Sequence, residues 1–370
     1  MNLRDHRPPW NVGPDSPSIV RGADNRHPPR PPLRQVPSSE KSPDSRPADR
    51  SGDGKPKKPP TRLRRRESLQ EGYQRLSLEH LDYATLVLAE GDGSPDRTVH
   101  EVRKALRRVR GLLRLVRDEL GPDIYRFENV QMRDAGRLLS EARSAAVALE
   151  TLELIEDRYA RLLVAGAFTD VRSALEARRA AIVARSIGDP ELPRQIALAL
   201  RSARARQAAL PLAGTLGQPS SEPSIRNSYQ AIAPGLARTY RRGRRRMADA
   251  YRSPSAEAFH HWRKRVRYLR FQLETLTGMW PEVIGGTASA VDTLGETLGS
   301  HHDLVELKRL VQSDRSLTSG TRQCELLTGL IDQHREHLQH QARTQGRRVY
   351  AEPTGRFVNR LGVYWEAWRG

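Results

Sequence analysis

Arg103, Arg107, Arg110, Arg114 and Arg117 recur at alternating spacings of four and three residues. On an α-helix that spacing stacks them along one side. His260, Arg263, Arg267 and Arg270 form a second such series, which ends at Glu274. A guanidinium is a rigid fork that grips two oxygens of one phosphate, so a row of forks suits an anion with closely spaced charges. At 1.5 Å per residue the first row would run for ~21 Å. A solvated face laced with intrahelical salt bridges is the ordinary reading of a charge run. Here no Asp or Glu lies between Arg103 and Arg117 to form those bridges. His100 and His260 hold the same slot at the start of each row. There a neutral imidazole can donate to a phosphate oxygen beside free backbone N–H groups, or bond to a neighbouring side chain.

The two rows belong to a duplicated helix. VHEVRKALRRVRGLLRLVRDEL, residues 99–120, aligns with FHHWRKRVRYLRFQLETLTGMW, residues 259–280. The alignment matches His100 with His260, Arg103 with Arg263, Lys104 with Lys264, Arg107 with Arg267 and Arg110 with Arg270. Beside each basic row runs an apolar one. In the first copy it is Val99, Val102, Leu106, Val109, Leu113, Val116 and Leu120. In the second it is Phe259, Trp262, Val266, Leu269, Leu273, Leu276 and Trp280. One face therefore needs a helical partner, and its neighbour faces solvent or a groove. The repeat continues past the helix, because Gly136–Ser144 aligns with Gly295–Asp303. A third basic cluster places Arg238, Arg241, Arg242 and Arg245 on one helical face, with Tyr240 and Met247 as apolar partners. As a linear signal it also reads as a nucleic-acid patch or a disordered basic run.

The elements that must carry these faces are helical. Residues 1–62 are expected to be a disordered tail, since the first 60 residues hold 14 of the 25 prolines and no periodic apolar pattern. Residues 67–216 form the first helical half and 225–370 the second, joined by the linker GQPSSEPS at 217–224. Gly121-Pro122 stops the first basic helix, and Thr98 with Glu101 stands in capping-box register, with Pro95 the other place for its start. Residues 125–160 read as one or two helices, and Gly285-Gly286 as an inter-helix turn. Alternating β-branched runs are absent. The expected fold is all-α, two pseudo-symmetric bundles from an internal duplication.

Composition narrows the partner. A net charge of +19 and a pI near 10.7 favour a polyanion, whether nucleic acid, polyphosphate or an anionic membrane surface. The single cysteine, Cys324, excludes an internal disulfide and a CxxC pair. No apolar signal core and no spanning stretch are present, so the cytoplasm is expected, without integral membrane association. His260, His261, His301, His302 and Asp303 resemble a metal set, but adjacent helical residues point about 100° apart and rarely serve one ion. Neither a Walker loop nor an HExxH motif occurs. No catalytic residue, metal or cofactor is expected.

VHEVRKALRRVRGLLR, FHHWRKRVRYLR, LGETLGSHHDLVEL and the terminal GRFVNRLGVYWEAWR together resemble the CHAD family, the conserved histidine α-helical domain, over residues 67–369. The resemblance implies a non-catalytic module that binds inorganic polyphosphate in a central basic surface or cavity, with polyphosphate granules as a place of residence. Its two signature histidines fall on His100 and His260. Its basic positions fall on Arg103, Arg107, Arg110, Arg263, Lys264, Arg267 and Arg270, and its acidic position on Asp303, expected to organise the groove. In the first half the family's aspartate is replaced by Ser144. Arg114, Arg117 and the cluster at 238, 241, 242 and 245 extend the expected binding surface. Two rival readings remain: non-specific nucleic-acid binding, and metal-dependent phosphoanhydride hydrolysis.

Overall fold

The computed structural model describes residues 56–90, 94–186, 190–210 and 225–370. Most of the expected tail and all of the 217–224 linker lie outside these residues. Among the described residues the chain is all-α, as expected, with no strand. The first half comprises α1 (Leu69–Glu90), α2 (Pro95–Leu115), α3 (Arg117–Leu120), α4 (Pro122–Leu138), α5 (Ser140–Arg158), α6 (Thr169–Ser186) and α7 (Glu191–Ala208). The second comprises α8 (Tyr229–Arg252), α9 (Ala256–Leu276), α10 (Pro281–Ser313), α11 (Thr321–Val349) and α12 (Thr354–Arg369). None of these helices is long and apolar enough to cross a membrane.

The apolar rows of α2 and α9 are the centre of the larger core. Val99, Val102, Leu106, Val109 and Leu113 are buried in α2, as are Phe259, Trp262, Val266, Leu269, Leu273 and Leu276 in α9. Helices α1, α4, α7, α8, α12 and the first part of α10 pack around them. A second core joins Leu152 and Ile155 of α5 and Val171 and Leu175 of α6 to Leu304 of α10 and Leu327 and Ile331 of α11. Both sub-bundles therefore draw helices from both halves of the sequence, and α10 runs through both.

Helices α2 and α9 cross antiparallel at equivalent positions of the repeat. Gly111 faces Phe271, its counterpart, so closely that a Cβ at 111 would stand 3.0 Å from the Phe271 Cβ. Two pseudo-symmetric contacts flank the crossing. Arg108 Nη1 meets Glu274 Oε2 at 2.8 Å on one side, and Arg114 lies 3.9 Å from the centre of the Tyr268 ring on the other. In the repeat Arg108 corresponds to Tyr268 and Arg114 to Glu274, so one geometry is served by an ion pair and by a cation–π contact.

Several local expectations are corrected. The run 99–120 is not one helix. It begins at Pro95 and leaves helical geometry at Val116 (φ −98°, ψ 15°), and only four residues of α3 follow. The interruption falls where α8 crosses backbone to backbone, for a Cβ on Gly235 would lie 2.2 Å from the Leu115 carbonyl oxygen. Gly285-Gly286 is no turn but part of the opening turns of α10, where the run of helical hydrogen bonds overrides two glycines. Trp280 does not close the apolar row, because α9 ends at Leu276 and a 3-10 turn carries Trp280 outward, 44% exposed against Tyr364. Gly136–Ser144 spans a break at Leu139 between α4 and α5, whereas its counterpart lies in unbroken α10.

Two glycines give opposite expectations. Gly235→Ala should destabilise the fold by about 1–3 kcal/mol, since backbone cannot yield to the new methyl. Gly286→Ala, with nothing within 4 Å of its Cβ, should stabilise by about 0.5–1 kcal/mol. Urea denaturation of both variants checks the pair, and equal effects would refute the crossing geometry. Buried histidines set a pH dependence. Burial, the first cause in each, lowers His80 to about 3 and His301 and His334 to about 4, from an ordinary value of 6.5. The unfolded chain then binds more protons than the folded one below pH 6.5, so stability is full above that pH and is lost as pH falls toward about 4. A urea midpoint that stayed flat across this window would contradict their neutral burial.

Candidate functional site

Burying the apolar rows turns the basic rows toward each other. Three cavities follow the α2–α9 seam. The first, of about 480 Å³, is lined by His100, Arg103, Lys104 and Arg107 of α2, Arg143 of α5, and Arg263, Arg267 and Arg270 of α9. Its opposite wall is α10, which contributes Asp292, Glu296, His302, Asp303 and Glu306. The second, of about 410 Å³, has no carboxylate in its lining. Arg103, Arg107, Arg110 and Arg114 meet Lys264, Arg265 and Arg267 there, with Arg133 and Arg137 of α4 at its side. A third, of about 170 Å³, is bounded by Arg114, Arg117, Arg238, Arg242 and Arg265.

Shared walls join these cavities. Arg103, Arg107 and Arg267 line both the first and the second. Arg114 and Arg265 line both the second and the third. A basic track thus runs from His100 to the start of α3, with lining acids on the α10 side of its first chamber, Asp134 paired with Arg133 and Arg137 beside its second, and a further acid near its last. Asp118 is the latter acid, paired with Arg238 at 3.0 Å.

The electrostatics single out the middle of the track. Arg107 and Arg267, counterparts in the repeat, have no hydrogen-bonding or ion-pairing partner among the described residues, and the Arg107 Nε is buried and unsatisfied. Burial first, then Arg103, Arg263 and Arg143, push Arg107 down to about 9. Burial, Arg263 and Arg107 hold Arg267 well below the usual guanidinium range. Buried unpaired charge is costly, and like charges add to the cost. Both effects would be relieved by an anion. Arg103 donates to the Gly136 carbonyl, Arg110 Nε donates to Asn129 Oδ1 at 3.1 Å, and Arg263 stands 3.9 Å from Asp303. Burial raises the Asp303 carboxyl while Arg263 opposes the shift. Burial lowers His260 to about 4 and His302 to about 3, so both rings are neutral near pH 7, with centroids 4.5 Å apart.

Most of the residues singled out in the sequence line the track. Arg241 and Arg245 do not, being exposed on α8 outside the three cavities, and His260 stands beside the first cavity without lining it. Arg117 belongs to the last cavity, beyond the break at Val116, with its guanidinium 4.6 Å from the centre of the Tyr125 ring. Ser144 lines the first cavity opposite Asp303, its hydroxyl donating to the Ser140 carbonyl at 2.9 Å.

Sequence reasoning missed Arg143, Arg265, Tyr268, Arg133 and Arg137. Arg143 precedes Ser144 and aligns with His302, so the repeat itself carried a signal for it. Arg265 and Tyr268 stand between the stripe positions of α9 and enter the lining only because α9 crosses α2. Burial alone would raise the Tyr268 phenol, but Arg114, Arg110, Arg267 and Arg265 outweigh it and lower its pKa. Among the described residues no group of three or more His, Cys, Asp and Glu side chains could hold a metal ion.

Solved structures share the fold, two of them as follows. The CHAD domain from the plant Ricinus communis aligns over 84% of this chain and 96% of its own, at 20% identity and a TM-score of 0.50. PptA from Streptomyces chartreusis aligns over 77% of this chain and 100% of its own, at 13% identity and a TM-score of 0.51. No curated protein matches the chain. Residues 73–312 match the CHAD domain, well over half of the sequence, and the protein belongs to that family.

Proposed function

We propose that this protein binds inorganic polyphosphate, without transforming it, along the basic track between α2 and α9. The observation that carries the reading is the pair Arg107 and Arg267, partly buried, unpartnered among the described residues and shared by the first two cavities. Phosphates in a linear chain are spaced closely enough to be gripped by successive guanidiniums, each contact being bidentate and charge-assisted. A chain that extends through the shared wall meets both halves of the repeat, so affinity should grow with its length. Family membership supports the same reading, as does the absence of carboxylates from the lining of the middle cavity. His100 and Lys104 would contact the anion at one end of the track, and Arg114, Arg117, Arg238 and Arg242 at the other. Arg241, Arg245 and His260 would act from outside the cavities, Arg241 and Arg245 by general attraction.

Nucleic acid is the rival ligand. A duplex is too broad for these chambers, since its major groove alone is about 12 Å wide. Attraction to the exposed arginines of α8 would still give weak binding that falls steeply with salt.

Competition at about 150 mM salt decides between them. Labelled long-chain polyphosphate would be challenged with short polyphosphate, duplex DNA and RNA. Long polyphosphate should win at matched charge. Arg267→Ala and Arg107→Ala should each weaken its binding by about 10- to 100-fold, the usual loss for a charge-assisted contact. Arg241→Ala and Arg245→Ala should each cost less than about threefold. Equal competition by nucleic acid, or a larger loss from the α8 pair than from Arg107 and Arg267, would overturn the assignment.

A further inference from the structure

Arg270 lies on the basic row of α9 but is held differently from Arg107 and Arg267. Its Nε donates to Glu274 Oε1 at 2.8 Å, and its Nη1 pairs with Asp292 of α10. Glu274 is itself shared, since its second oxygen meets Arg108 Nη1 at 2.8 Å. Two carboxylates thus occupy the guanidinium edges that a phosphate would need. Arg110, the counterpart of Arg270 in the repeat, has among the described residues only the neutral amide oxygen of Asn129 as a side-chain partner. Glu274 has a place in the helix crossing, whereas Asp292 contributes only to the wall of the first cavity and its pairing with Arg270.

We infer that Asp292 is a tethered competitor for the anion: it occupies Arg270 in the empty protein and must be displaced before a phosphate chain can fill the first cavity. The inference rests on the polyphosphate reading and gives the track a direction. The acid-free second cavity and the unpaired Arg107 and Arg267 take the anion first. Only a chain long enough to pass that wall reaches Arg270, and it gains that contact by breaking an ion pair. A carboxylate on a packed helix is at high effective concentration beside its arginine, so a short or weakly held anion does not dislodge it. Asp292 would thereby set a length threshold for full occupancy.

An orienting role for Asp292 predicts the opposite sign, and binding measurements separate the two. Long-chain polyphosphate would be titrated into the wild type, Asp292→Asn, Asp292→Ser, Arg270→Ala, Asp292→Asn/Arg270→Ala and Arg267→Ala, with helicity checked by circular dichroism. Asp292→Asn should bind about threefold to tenfold more tightly than the wild type. Asp292→Ser should act in the same direction and replaces it if the amide variant fails to fold. Arg270→Ala should cost less than about twofold in the wild type but about tenfold in the Asp292→Asn background. Weaker or unchanged binding in both Asp292 variants would overturn the inference while leaving the polyphosphate reading intact. No loss from Arg267→Ala would overturn both.

Discussion

The apolar rows of α2 and α9 have to be buried, and because each basic row lies about 100° from its apolar neighbour, burying the one forces the other to a seam. When two such helices cross antiparallel at Gly111 and Phe271, the rows converge from both sides. The hydrophobic effect thus assembles a cluster of like charges that electrostatics alone would disperse. Trp262 and Phe259, both fully buried, anchor one side of that arrangement, with Leu106 and Leu113 on the other. A partly buried, unpaired guanidinium is destabilising, and the surrounding packing has to outweigh it. Arg107 and Arg267 are where that opposition is concentrated.

The duplication is obeyed in the helices and relaxed in their surroundings. Crossing contacts related by the repeat use different chemistry, an ion pair at Arg108 and Glu274 and a ring contact at Arg114 and Tyr268. The α4–α5 break at Leu139 has no counterpart in α10. Unbroken α10 carries its acids into the first cavity, whereas α4 presents Arg133 and Arg137 to the second. Two cavities that share three arginines therefore differ in their remaining walls. A symmetric pair of helices has become an asymmetric track.

The helical class and the two stripes were legible because period 3.6 is written directly in the residues, and the same periodicity separated the apolar faces from the basic ones. Local stops were read less well. Nothing around Val116 marks a break, which coincides with Gly235, far along the chain and pressed against the Leu115 carbonyl. Gly285-Gly286 has the composition of a turn, yet α10 continues through it, and the Thr287 hydroxyl donates to the Val283 carbonyl at 2.9 Å. For the site, a stripe tells which arginines share a face but not which are neutralised. Glu274, four residues on, already marks Arg270 in the sequence, but its pairing with Asp292 comes only from the packing of α10. Tyr268 and Arg265 were invisible for the same reason, because they join the lining through the angle of the crossing.

If Arg107 and Arg267 serve a polyanion, two partly buried, unpaired guanidiniums are kept at a cost in stability. Denaturation of the wild type and Arg267→Met, each with and without long-chain polyphosphate, tests it most directly. A crossover is expected. Without ligand the variant should be at least as stable as the wild type, because it loses a partly buried unpaired charge and keeps the packing volume. With polyphosphate at about 100 times its dissociation constant the wild type should gain about 2.7 kcal/mol, and the variant far less. A variant that is markedly less stable alone yet gains as much from polyphosphate would show that Arg267 serves the fold and not the anion.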